Sequence, residues 1–422
     1  MAREFANSMM ESGMLMDRRR FRFLLYMTMA LMDCVSGIFI FIGPVRAALL
    51  GGDPLVAGSM VTARAVCCFL ATLVVSRFLN SRNSMRLLFA ANALYFGAAL
   101  LGLWANSIGM LFLTSALAGV FMSIFSASFQ LFMKDVDSPG KRPLSQVVGT
   151  YTFAWCFGMS FGPFITGGLM ELGKPADGVG LSVGWIYAYL TAAGMIFITF
   201  VTLLWLRKVS ADHMRRHLAA QSDRVDVSEG RGKPDLAWLG WIMAIVGSTV
   251  LGVVRAVFPA GTTLAGMPEW QSGLAMTLVS LAMAFFAYAV SLGHTWMYSG
   301  RRMLLFGGIG VGGMFLYVLP RVMGWGLLDH VGQFYVAALM AGGYSGVVYL
   351  YSGFHSLVHP EKAGRNIALN EAFLSVGMTG GTLGGGWLAK HFGFYPPFVV
   401  AACLVLLLAL TQYVAHRRHE QG

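Results

Sequence analysis

Gly158–Gly168 reads GMSFGPFITGG, and Gly377–Gly386 reads GMTGGTLGGG. Placing Gly158 on Gly377 also superposes Met159 on Met378, Ser160 on Thr379, Gly162 on Gly381 and Leu169 on Leu388, an offset of 219 residues. A second pair of stretches repeats at nearly the same distance. SRFLNSRNSMRLLF, from Ser76, and GHTWMYSGRRMLLF, from Gly293, lie 217 residues apart and close on a similar run of basic residues, Met, Leu and Phe. Two similar offsets indicate one unit used twice.

That unit belongs in lipid. The 422-residue chain is 57% hydrophobic and 12% charged, where a soluble domain carries about 25% charged residues. Spans of about 20 apolar residues cross a bilayer core, and twelve can be read: 23–43, 54–76, 86–105, 109–133, 145–170, 181–206, 236–258, 270–293, 302–320, 331–353, 365–388 and 395–415. The charged stretch 207–235 divides them six and six. The expected fold is an all-α integral membrane protein of twelve helices in two pseudo-symmetric six-helix bundles, 1–206 and 236–422, joined by a linker at 207–235. Within that linker, 212–221 has the pattern of an amphipathic helix on the membrane surface.

The net charge of +11 does not suggest nucleic acid, because the basic residues are scattered between the apolar runs. With both termini placed in the cytoplasm, Arg46, Lys174, Arg321 and Lys390 are the basic residues outside the spans on the opposite side. This asymmetry fits the positive-inside rule and a cytoplasmic, inner bacterial membrane. The N-terminal basic cluster leads into a long apolar run without a small-residue cleavage site, so no removable signal peptide is expected. Cys34, Cys67, Cys68, Cys156 and Cys403 lie in apolar runs without metal spacing and read as small core residues. His294, His355 and His359 also lack metal spacing and read as solvated loop histidines.

The glycines at Gly158, Gly162, Gly167, Gly377 and Gly381 allow helix backbones to approach closely in lipid, and Pro163 removes a backbone donor. They suit either static packing or a smooth contact on which two halves rock.

These features together resemble the major facilitator superfamily over essentially the whole chain. In that family the loop between the second and third helices carries a G-x-x-x-D-R-x-G-R-R-like motif. Here Ser76, Asn80 and Asn83 stand where Gly, Asp and Gly are expected, with Arg77, Arg82 and Arg86 nearby. Asn80 retains the chemistry to cap a helix. The second copy keeps Gly293, Gly300, Arg301 and Arg302 but has Met297 at the acidic position. GMSFGPFITGG is similar to the glycine-proline motif of the fifth helix in exporters of the family, carried by Gly158, Gly162, Pro163 and Gly167, with Thr166 in place of one glycine. The resemblance implies alternating access, a pathway lined by helices 1, 2, 4, 5, 7, 8, 10 and 11, and a leaning toward proton-linked antiport.

A charge at mid-membrane costs about 2.5–3.5 kcal/mol on insertion scales, so each intramembrane charge needs a reason. Asp33 in span 1, Arg64 in span 2, Arg255 in span 7 and Glu371 in span 11 are the candidates for proton coupling or substrate binding. Asp33 and Arg64 reach similar depths and have the means to pair, as a proton-loading site or as a fixed structural ion pair. Glu371 is a second candidate acid, or a partner for Lys362 or Arg365. Arg255, read near the end of its span, has snorkelling to the headgroups as its other explanation. Gln130, Tyr151, Trp155, Tyr344, Ser345, Tyr349 and Ser352 are candidate cavity-lining residues, with interfacial anchoring and packing as the alternatives.

No catalytic cluster and no G-x-x-x-x-G-K-[ST] stretch is present, which argues against an enzyme or a nucleotide-driven pump. No cofactor is expected, and the partners are the bilayer, a small solute and protons. The function that follows is secondary transport by proton-coupled efflux. Symport, uniport and a non-transporting receptor or scaffold are the alternatives.

Overall fold

The computed structural model describes residues 2–80, 83–136, 143–174, 183–217, 234–293, 295–359 and 362–421. The regular elements there are α1 (Ala2–Leu49), α2 (Pro54–Ser76), α3 (Ser84–Gly102), α4 (Ile108–Val136), α5 (Leu144–Leu172), α6 (Gly184–His217), α7 (Ala237–Leu264), α8 (Glu269–Ser291), α9 (Gly300–Met323), α10 (Gly332–Leu357), α11 (Ala363–Thr379), α12 (Gly385–Phe392) and α13 (Pro396–Gln421). A 3₁₀ turn spans Thr295–Tyr298 and a π-helical turn spans Gly380–Gly384.

Local chemistry sets several boundaries. Asp53 Oδ1 accepts from the Val56 amide at 2.9 Å, and Pro54 opens α2, where its missing N–H costs nothing. Gly324, at φ 71°, ends α9 in the left-handed conformation that glycine adopts freely. Asn80 and Asn83 form a reciprocal box ahead of α3: Asn80 Oδ1 accepts from the Asn83 amide at 3.1 Å, and Asn83 Oδ1 accepts from the Asn80 amide at 2.8 Å. Both bonds lie within the loop: the N-cap of α3 is Asn83, which makes no side-chain cap bond, so the box is not the helix cap expected of Asn80.

Among the described residues, eleven helices contain a stretch long and apolar enough to cross a membrane. The twelfth expected span, 365–388, is a helical path interrupted in the middle, running through α11, the π turn and α12. The glycines of GGTLGGG weaken its α-helical ladder and lower its hydropathy, which sets it apart from the other eleven. The surface amphipathic helix expected at 212–221 does not begin as a separate element. Residues 207–217 hold no Gly or Pro, and α6 continues through them to His217. The remainder of that stretch, 218–221, lies outside the described residues.

The duplication is visible in the packing. Placing Pro44 of α1 on Pro259 of α7, an offset of 215 residues, also places Gly37 on Gly252. A Cβ on Gly37 would meet Met159, Gly162 and Pro163 of α5; one on Gly252 would meet Met378, Gly381 and Thr382, their counterparts at the offset of 219. Gly158 lies on the backbone of Ala30 and Gly377 on that of Ile245, again matching partners. The helix carrying each glycine motif therefore locks onto the first helix of its own bundle in the same way twice.

The two bundles meet through a second duplicated contact on the side opposite both termini. Gly58 of α2 lies against the Thr382 carbonyl and Gly386 of α12 against Pro54. In the equivalent seam, Gly273 of α8 lies against the Pro163 carbonyl and Gly167 of α5 against the Glu269 carbonyl. Thr62 and Thr382 share a hydrogen bond of 2.6 Å across the first seam. Cβ-free contacts of this kind bring backbones close enough to close the interface.

Candidate functional site

Asp33 lies on α1 one helical turn before Gly37, so it shares a face with the glycine that seats α5. It is 3% exposed. Arg64 of α2 and Arg255 of α7, 8% and 6% exposed, both act electrostatically on its carboxylate. One acid and two guanidiniums thus meet where α1, α2 and α7 converge, in contact with α5.

The pairing is not the direct one. Arg64 Nη2 donates to Ser36 Oγ at 2.6 Å, three residues along from Asp33, while Arg64 Nη1 and Asp33 Oδ2 have no hydrogen-bond partner. Among the described residues, Asp33 and Arg64 make no ion pair within 4 Å. A hydrogen bond to a charged group contributes about 1.5–3 kcal/mol, and Ser36 supplies it from the neighbouring turn. Exchanging Asp33 and Arg64 should therefore recover none of the stability lost in the single changes. A recovery above about 1 kcal/mol in a double-mutant cycle would put them in contact.

Arg255 does not snorkel. It faces the interior, with Nη2 2.9 Å from Met159 Sδ of α5, and lines a narrow cavity with Gly37, Ile40, Met159, Met276 and Ser280. Its helix continues past the expected end at 258 to Leu264, which leaves Arg255 more than two turns from the terminus. A thioether is a weak acceptor, so this guanidinium is held without a strong partner.

Glu371 is exposed midway along α11, within electrostatic reach of Cys68 on α2 and Tyr349 on α10. Among the described residues it pairs with neither Lys362 nor Arg365, and Lys362 instead bonds Asp235 at 2.9 Å. Trp155 and Tyr349 meet edge to face across α5 and α10, with centroids 5.4 Å apart. Tyr151 is half-buried one turn before Trp155.

Other expected lining residues sit elsewhere. Tyr344 points into its own bundle against Gly310 of α9 and is buried there, so it is a packing residue. Ser345 and Ser352 bond the Ala341 and Tyr349 carbonyls of their own helix. The side chain of Gln130, and all of Arg82 and His294, lie outside the described residues. His355 is not a solvated loop histidine. It is fully buried near the end of α10, against Tyr351 at 4.3 Å, and its Nε2 lies 3.4 Å from the Met297 carbonyl. His416 Nε2 approaches the same carbonyl at 3.2 Å. In the second loop motif Gly300 packs on Tyr413, Arg302 donates to Thr295 Oγ1 at 3.0 Å, and Gly293 and Arg301 are exposed. No metal-binding cluster of His, Cys, Asp or Glu is found among the described residues.

Two ion-pair groups close the side opposite the termini, and the sequence reading missed both because their partners lie in different bundles. Asp53 Oδ2 meets Lys390 Nζ at 2.9 Å, and Lys174 Nζ meets Glu269 Oε2 at 2.5 Å and Glu171 Oε2 at 3.0 Å. The Lys390 hydrogen bond holds Asp53 below the usual carboxylate range. Its contribution is therefore fully present above about pH 3.9, the unfolded carboxylate value, and is lost only as pH falls through the lowered folded value. This closure is insensitive to pH in the neutral range. Both partners are more than a third exposed, and such pairs contribute about 0.2–1 kcal/mol. Lys390→Gln should thus raise labelling of a cysteine placed at Ser280 from that side by no more than about fivefold. A larger increase would make this pair the main closure.

The model of the Major Facilitator Superfamily matches residues 21–360. No curated protein matches the chain. The fold is similar to a bacterial homologue of the iron transporter ferroportin in its inward-facing state, at 16% identity and a TM-score of 0.65, over 94% of this chain and 98% of that one. It is also similar to the xylose transporter XylE of E. coli in a partially occluded inward-open conformation, at 13% identity and a TM-score of 0.66, over 93% of this chain and 99% of that one. With the family matched across most of its length and the fold shared from end to end, the chain belongs to the major facilitator superfamily.

Proposed function

We propose that the chain is a proton-coupled secondary transporter in which Asp33 takes up and gives back the proton as access alternates. Membership of the superfamily makes it a membrane transporter of a small solute. The observation that carries the coupling is the Asp33 carboxylate, buried at the meeting of the two bundles, with one oxygen free of any hydrogen bond and no ion pair among the described residues. A fixed structural charge would be neutralised by a close partner. Here the counter-charges stand near but are engaged elsewhere, by Ser36 and Met159.

The halves 1–206 and 236–422 are the rocking units, with 207–235 as their linker and Glu371 as a second acid. The distribution of basic residues supports cytoplasmic termini in a bacterial inner membrane. Access from the opposite side then requires the Asp53–Lys390 and Lys174–Glu269 pairs to part. The glycine-proline motif of α5 favours efflux in exchange for protons. A second coupling, in which proton and solute travel together, is favoured by the two arginines around Asp33.

The test is proton movement across vesicles containing the protein, with the membrane potential held at zero, when cationic, neutral and anionic solutes are added in turn. Solute flux accompanied by proton movement supports the reading. Flux without proton movement makes the chain a uniporter or couples it to another ion, and saturable binding with no flux makes it a receptor or scaffold.

A further inference from the structure

The duplicated packing carries no duplicated charge. At the offset of 215 that superposes α1 on α7, Asp33 falls on Ser248 and Arg255 falls on Ile40. The helices are thus built twice, while the central charges occur once each and must be explained by what they hold.

They leave an excess of positive donors. Arg64 has one nitrogen on Ser36 and an orphaned Nη1; Arg255 has a thioether on Nη2; the two guanidiniums lie within electrostatic reach of each other. Each is more than nine-tenths buried. Arginine's planar fork matches a carboxylate with two parallel hydrogen bonds, a geometry that neither a serine hydroxyl nor a methionine sulfur satisfies. Beside Arg255 the cavity wall is largely apolar: Gly37, Ile40, Met159, Pro163 and Met276, with Ser280 as a polar group.

Resting on the reading of this site as the transport site, we infer that its substrate is a small organic anion, a carboxylate with an apolar body, whose head takes the free donors of Arg255 and Arg64. The apolar wall then covers the body. A cation is disfavoured, because it would have to approach Asp33 between two guanidiniums.

The substrate class also selects between the two couplings. The ligand's carboxylate offsets the positive excess that the two guanidiniums place around Asp33, so binding of the anion and protonation of Asp33 favour one another. Anion and proton therefore bind together and leave together. The other groups facing Asp33 are the Cys34 thiol on its own helix, Tyr95 on α3 and Cys156 on α5. None of them supplies a second acid.

The experiment uses the full chain in nanodiscs and matched probes of nearly identical shape: acetate with acetamide, benzoate with benzamide, and succinate with succinamide. Binding is followed calorimetrically, and proton uptake by a dye in weak buffer. At least one carboxylate is expected to bind at least about tenfold more tightly than its amide, with net proton uptake, and Arg255→Gln should remove about 10- to 100-fold of that affinity. Equal binding of every carboxylate and its amide overturns the inference on the unaltered protein, whatever the variant does. Tighter binding of carboxylates without proton uptake upholds the anion site and removes Asp33 as the coupling group. Proton movement driven by a cationic solute alone upholds proton coupling and overturns the anion site.

Discussion

Asp33→Asn protein is expected to remain folded in the membrane and to lose solute accumulation driven by a pH gradient. With one proton coupled per solute, a gradient of one pH unit sustains a concentration ratio of about tenfold, since one unit is 1.36 kcal/mol. In the variant the ratio should fall to about one, because the asparagine amide keeps the size and polarity of the side chain but cannot take up a proton. The measurement is steady-state accumulation in vesicles at an imposed gradient with the potential clamped. Size-exclusion behaviour establishes that the protein has survived the loss of a negative charge between two arginines. Accumulation that persists at the wild-type ratio moves the proton elsewhere, with Glu371 as the remaining acid near the gap.

Gly162→Leu should abolish transport and leave little folded protein. A Cβ at this position would run into backbone atoms of Cys34, Gly37 and Ile38, and backbone cannot rotate aside as a side chain can. Even alanine should cost about 1–3 kcal/mol by overpacking, and leucine requires α5 to part from α1 beside Asp33. The matching control is Gly168→Leu on the same helix, where a Cβ meets nothing within 4 Å. That variant should keep transport and thermal stability close to wild type. A fully active Gly162→Leu protein would mean that α1 and α5 do not pack as described.

Much of the fold was legible because lipid simplifies the problem: apolar length gives the spans, and small residues mark the closest contacts. The glycine repeat led directly to the duplicated α1–α5 and α7–α11 packing. Depth along a helix was harder to read. Arg255 reads as near a membrane edge because its span is drawn to end at 258, yet α7 carries on through Pro259 to Leu264. His355 was misread for the same reason, since α10 extends past the expected end at 353 to Leu357. Of the central charges, the sequence supplied the residues but not their partners. Ser36 was visible one turn from Asp33, but nothing in its type distinguishes a serine bonding its own backbone from one that holds an arginine of the next helix. Contacts between bundles, such as Lys390 with Asp53 and Met159 with Arg255, depend on how two halves dock, which no local pattern encodes.

The π turn at Gly380–Gly384 and Pro163 occupy equivalent positions, because Pro163 falls on Thr382 at the offset of 219. One bundle interrupts its helical ladder by removing a donor; the other does so by widening a turn. In mechanical terms each half has a compliant joint at the same depth, next to the seams formed by Gly58 with Gly386 and Gly167 with Gly273. Bending at both joints together would let the ends of α5 and α12 swing as a matched pair while the glycine-locked shafts below them keep their shape.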